Sequence, residues 1–155
     1  MELINKLKTL QADIVTAYFQ VHGYHWNVEG MLFPEMHSKF LEIYEDVYSS
    51  IDDISENIRK INGYAPFRLE SFCDNKAISS VYEGTNAIDQ IESFLMSNEI
   101  VINDLMVAHE LASAAKEFGM KAILGLEAYI SATDRFDKRI VSKRDDNTSV
   151  YNHII

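Results

Sequence analysis

The chain has 155 residues, and its 14 Lys and Arg against 24 Asp and Glu leave a formal net charge of −10. That length suits one compact domain, 1–155, and 47% hydrophobic residues suffice for a core. Six Gly and two Pro exclude collagen-like and low-complexity classes, a single cysteine (Cys73) excludes an intrachain disulfide, and the acidic balance opposes wholesale binding to nucleic-acid phosphates.

The periodicity is helical almost throughout. Leu3, Leu7, Leu10, Ile14, Ala17, Val21 and Tyr24 recur three and four apart and predict a first helix with one apolar stripe. Gly30 and Pro34 break the chain. A second helix is predicted from near Pro34 to Gly63, with Phe33, Met36, Phe40, Ile43, Val47, Ile51, Ile54, Ile58 and Ile61 as its stripe. Gly63 and Gly84 bracket 20 residues, enough to return along a bundle with a short helix around Arg68–Cys73. A third helix is predicted after Gly84-Thr85, with Thr85 as N-cap, Ile88, Ile91, Leu95, Ile102, Leu105 and Ala112 inward, and Gly119 at its end. A fourth spans about 120–142 through Ile123, Leu126, Ile130 and Ile140. Two helical hairpins joined by one long crossover predict an all-α, ferritin-like four-helix bundle; cytokine-like or purely structural bundles are the alternatives.

One metal motif is missing. Di-iron sites inside a single bundle use Glu-x-x-His, and none of the five histidines (His22, His25, His37, His109 and His153) has Glu three residues before it. The second helix carries something else, a second face of His37, Leu41, Tyr44, Tyr48, Asp52 and Glu56 beside its core stripe. Asp52 and Glu56 stand four apart, so their carboxylates share a side. His37 and Asp52 are 15 residues apart, roughly 22 Å along a helix, too far to share one ion within a chain. A two-fold axis near Tyr44–Glu45 sets residue n opposite 89−n of a second copy and brings His37 beside that copy's Asp52. His25 joins His37 if the first hairpin folds the end of one helix over the start of the next. On the residues alone, helix-end histidines, a solvated acidic face and tyrosine packing between subunits remain alternatives.

Tyr24-His25-Trp26-Asn27-Val28-Glu29-Gly30-Met31-Leu32-Phe33-Pro34-Glu35-Met36-His37, followed by Phe40, Tyr44, Asp52 and Glu56, closely resembles the signature of the Dps-type miniferritins. The specific pattern is His-Trp-Asn-x-x-Gly-x-x-Phe-x-x-x-His, and the signal is concentrated in Tyr24–Gly63. The resemblance implies a dodecameric shell, built from two-fold dimers, that takes up Fe2+, oxidises it with peroxide as a ferroxidase, and stores Fe3+ mineral against oxidative stress. It implies His25 and His37 as metal ligands from one subunit, Asp52 and Glu56 from the other, and Trp26 as the aromatic beside the centre. Imidazole with carboxylate suits Fe(II), and carboxylates favour Fe(III).

One departure matters. The family's carboxylate four residues after the second histidine is here Leu41. The remaining donors suit one iron, or zinc, with a weakly held second iron, so impaired oxidation in a retained shell is expected. A metal-binding or DNA-protecting shell without efficient oxidation is the alternative reading.

Other residues carry weaker expectations. His22 is a flanking or interface histidine, His109 a core histidine, and Glu42, Glu45 and Asp46 a mineral-nucleating cluster or a solvated face. Asp134 resembles a family pore aspartate. DNA binding is disfavoured, because only Lys6 and Lys8 lie near the start and the basic run Lys138–Arg144 is followed by Asp145-Asp146. The first residues lack a basic-then-apolar leader, and no apolar run approaches the ~20 residues of a membrane span, so the expected setting is cytoplasmic.

Overall fold

The structure, a computed structural model, describes residues 1–115. Its helices are α1 (Glu2–Asn27), α2 (Phe33–Lys60), α3 (Leu69–Asn75) and α4 (Ala87–Ala114). The helix expected over 120–142, Gly119, Asp134, His153 and the basic run 138–144 lie outside the described residues.

The stripes of α1 and α2 become the core. Leu7, Leu10, Ile14, Ala17, Val21 and Tyr24 are buried along α1, and Met36, Phe40, Ile43, Val47, Ile54 and Ile58 along α2. Pro34 sits in the first turn of α2, where a missing N–H costs the helix nothing. Phe33 departs from the expected stripe: it is 43% exposed and stacks on His37 with ring centroids 5.1 Å apart.

The end of α2 shows what Gly63 is for. The left-handed residue is Asn62 (φ 63°), so Gly63 is not needed for its backbone conformation. Gly63 N–H donates to Ile58 O at 2.9 Å. A Cβ at Gly63 would lie 2.8 Å from Ile58 Cγ2 and 3.0 Å from Ile4 Cγ2, so glycine lets the start of α1 come close. Gly63→Ala is expected to cost about 1–3 kcal/mol, read as a lower urea midpoint with unchanged helicity.

The crossover begins at Gly63 beside Ile4 and ends at Thr85 beside Glu29, at the other end of α1. It therefore runs the length of the bundle, and α4 then runs antiparallel to α1. Glu29 N–H donates to Thr85 O at 3.0 Å, part of an isolated bridge between Glu29 and Asn86. The N-cap of α4 is Asn86 rather than Thr85: Asn86 Oδ1 accepts from Ile88 N at 2.9 Å and Asp89 N at 3.2 Å. Thr85 is engaged elsewhere, its hydroxyl donating to Glu29 Oε2 at 3.0 Å.

α4 is also rotated from its expected orientation. Leu105 and Ala112 are buried as anticipated, but Ile88 is 41% exposed, and Ile91, Leu95 and Ile102 are only partly buried. Gln90, Ser97, Asn98 and Asp104 face inward instead. Gln90, Ser97 and Asp104 recur every seven residues, as do Lys6, Asp13 and Gln20 on α1. The two rows meet through the Lys6–Asp104 ion pair, and Gln20 Nε2 donates to Ser93 Oγ beside them at 3.0 Å.

This polar seam also holds the crossover, whose backbone groups need partners once buried. Gln90 Nε2 donates to Gly84 O at 2.9 Å, and Ser93 Oγ accepts from Tyr82 N at 2.9 Å. Asp13 Oδ1 accepts from Ala77 N and Ile78 N, each at 2.8 Å. The short helix α3 packs against α1.

Candidate metal centre

The α1–α2 turn brings the two signature histidines face to face. His25 and His37 stack with ring centroids 3.7 Å apart and planes 22° apart. The Nδ1–H of each donates to the other's main-chain carbonyl: His25 to His37 O and His37 to His25 O, both at 2.8 Å. A carbonyl oxygen only accepts, so both Nδ1 atoms carry the proton. In the neutral rings this leaves both Nε2 lone pairs available to a metal. Such bonds commonly fix the tautomer and orientation of metal-binding histidines, and here the hairpin supplies them itself.

Around this pair lies an aromatic cluster. Tyr44 stands edge-on to His25 at 5.4 Å and stacks on His22 at 4.0 Å. His22 Nδ1 is 3.0 Å from the Tyr18 hydroxyl, and its ring lies 4.2 Å from that of Trp26. Trp26 and Tyr48 are each 61% exposed, giving this side of the α1–α2 hairpin an uncovered aromatic surface. The tie between Tyr18 and His22 went unanticipated, although their i, i+4 spacing on a helix was the available signal.

Leu41, one turn after His37, is half-buried and offers no donor atom. Asp52 and Glu56 are exposed further along α2, where Glu56 pairs with Lys60 at 3.6 Å. Glu42 pairs with Lys39 at 2.7 Å, and Glu45 and Asp46 are exposed. His109 is half-buried on α4. Among the described residues, no group of three or more His, Cys, Asp and Glu within one chain could hold a metal ion. One chain thus assembles the imidazole half of the candidate set and leaves its acidic half apart.

The family model of the ferritin-like domain matches residues 4–135. The chain belongs to the ferritin-like family. Its fold is the ferritin-like four-helix bundle, shared with the solved DPS protein of Vibrio cholerae O1 at a TM-score of 0.84 and 24% identity, covering 91% of this chain and 87% of that one. That protein is described as a member of a broad superfamily of ferritin-like diiron-carboxylate proteins. In sequence, the chain is 27% identical over 130 residues to the DNA protection during starvation protein of Brevibacillus brevis, over 81% of this chain and 87% of the relative. Over 66 residues it is 39% identical to the protein of that name from Helicobacter pylori, over 43% of this chain and 45% of the relative. Among the described residues, no helix is long and apolar enough to cross a membrane.

Proposed function

We propose that the protein is an iron-sequestering, Dps-type miniferritin of the cytoplasm that binds Fe2+ at two-fold interfaces and stores Fe3+ inside a dodecameric shell. The observation that carries this reading is the reciprocal His25–His37 clamp, which fixes two imidazoles side by side with each Nδ1 engaged by a main-chain carbonyl, so that Nε2 is the nitrogen left to bind a metal. Asp52 and Glu56 of the second subunit complete the site. Two neutral imidazoles and two carboxylates form a donor set suited to ferrous iron, with zinc as a competitor. The exposed aromatic surface around Trp26 and Tyr48 is the face the neighbour covers.

The residues divide the work. The imidazoles hold the incoming ferrous ion, and the carboxylates lower the energy of the ferric product. Trp26 lies beside the centre as an oxidisable ring. Electrons from ferrous iron reduce peroxide, and the ferric product passes to the interior.

Leu41 favours a second reading, a shell that stores metal and oxidises it slowly. In the register where n faces 89−n, Leu41 lies opposite the second copy's Tyr48, an apolar contact where a carboxylate would otherwise bind the second iron. Binding to DNA stays weak, given a net charge of −10.

Mixing two inactive chains tests the shared site. His37→Ala and Asp52→Ala are each expected to abolish rapid ferrous oxidation. Co-expressed, they restore one intact site per mixed dimer, about a quarter of all sites under random pairing by two-fold symmetry. Stopped-flow absorbance of ferric product measures the recovery. No recovery in shells proven to contain both chains rejects an intersubunit centre.

A further inference from the structure

Asp13 and Asp104 face each other within the α1–α4 seam, 0% and 3% exposed. One oxygen of each is well supplied: Asp13 Oδ1 takes the N–H groups of Ala77 and Ile78, and Asp104 Oδ1 takes Lys6 Nζ. The other oxygen of each, Oδ2, has no donor. Two carboxylate oxygens cannot bond one another, whereas a single proton makes one of them a donor and satisfies both. An unpaired buried acceptor is costly, so the folded chain favours taking that proton up.

The electrostatics agree with the geometry. Burial raises the Asp13 carboxyl from its ordinary 3.8 to about 6 against the lowering effect of the Ile78 and Ala77 N–H groups, and Asp104 adds to the rise. Among the described residues, the charges at this point are Lys6 from α1, Asp104 from α4, and Lys76 of the crossover, whose Nζ donates to Ile78 O at 2.7 Å. On α2, the buried Asn57 and the Ser55 hydroxyl, which accepts from Gln11 Nε2 at 2.7 Å, are neutral.

We infer that Asp13 and Asp104 share one proton and act as a pH-operated latch that holds the crossover onto α1, closing when the pair is protonated and weakening when it is not. The anchor is local: Ala77 and Ile78 donate to the same carboxyl group that titrates, with Ile78 buried in the core beneath it. These two bonds by themselves favour its ionised form, so the weakening at high pH comes from its burial and from the facing Asp104. A carboxyl group raised above its ordinary value binds more protons folded than unfolded. Its contribution is therefore complete below about pH 4 and declines as pH rises through about 6. The latch requires no metal and stands apart from the iron chemistry.

Hydrogen–deuterium exchange on the full chain tests it. In the wild type, protection of the crossover segment containing Ala77 and Ile78, corrected for intrinsic exchange, is expected to fall up to about tenfold between pH 5 and 8. Asp13→Asn imitates the protonated group: its Oδ1 accepts the same N–H groups, and its Nδ2 donates to Asp104. This variant should hold its protection nearly constant over that range. A flat wild-type profile, or an undiminished fall in Asp13→Asn, overturns the latch. Infrared spectroscopy of the folded wild type covers the case in which the variant does not fold. A protonated-carboxyl C=O band should be present at about pH 5.5, where exposed carboxyl groups are ionised, and vanish by pH 8; its absence at the lower pH also overturns the inference.

Discussion

Leu41→Asp should accelerate peroxide-driven oxidation of ferrous iron by roughly ten- to a hundredfold, the scale on which even outer-sphere partners tune metal sites. The residue lies one turn beyond His37 on the same side of α2 and is half-buried, so a carboxylate there reaches the space next to the imidazole. Aspartate adds the hard anionic oxygen that favours the ferric product. Replacing a half-buried leucine costs the fold about 1 kcal/mol, a loss the helix can carry. Leu41→Asn separates charge from size, because it matches aspartate in shape and lacks the anion. The measurement is the initial rate at saturating ferrous iron in shells of equal subunit number. Equal rates in Leu41→Asp and the wild type would show that this position does not limit the chemistry.

His37→Asn and His37→Ala should part company, and the difference separates the two nitrogens of one ring. Asparagine's Nδ2 can replace Nδ1–H as donor to the His25 carbonyl, but it has no counterpart of Nε2. The clamp therefore survives in His37→Asn, with stability close to wild type, while rapid iron oxidation is lost by about a hundredfold or more. His37→Ala loses the donor as well and should be less stable by about 1 kcal/mol. Urea unfolding and stopped-flow oxidation on the same preparations provide both numbers. Retained oxidation in His37→Asn would remove this histidine from the metal.

The two halves of the molecule differed in how readily their sequence could be interpreted. α1 and α2 carry their apolar stripes inward, so three-and-four spacing located both helices and those stripes, though not the buried polar Gln11, Asp13, Gln20 and Asn57 beside them. α4 mixes Gln90, Ser97, Asn98 and Asp104 with Ala87, Phe94, Val101 and Ala108 on its buried face, so hydrophobic spacing found Leu105 and Ala112 but wrongly turned Ile88 inward. Thr85 was a reasonable cap by residue type, but Glu29, 56 positions away, already holds its hydroxyl. At the candidate centre, His25 and His37 were legible as a pair because a short turn joins their helices. Their proton positions were not, since these depend on where two main-chain carbonyls come to rest. The proposed relation of Asp52 and Glu56 to that pair was legible only through the spacing of His37 and Asp52 and an assumed two-fold axis, because within one chain the acids stand apart from the imidazoles.

The separation of imidazoles from acids along α2 has a consequence for the newly made protein. If the site is shared as proposed, a lone subunit presents either half only as a weak, incomplete chelator, and oxidation would wait for quaternary assembly. Under that reading, ferric product would form only where a container already exists to receive it.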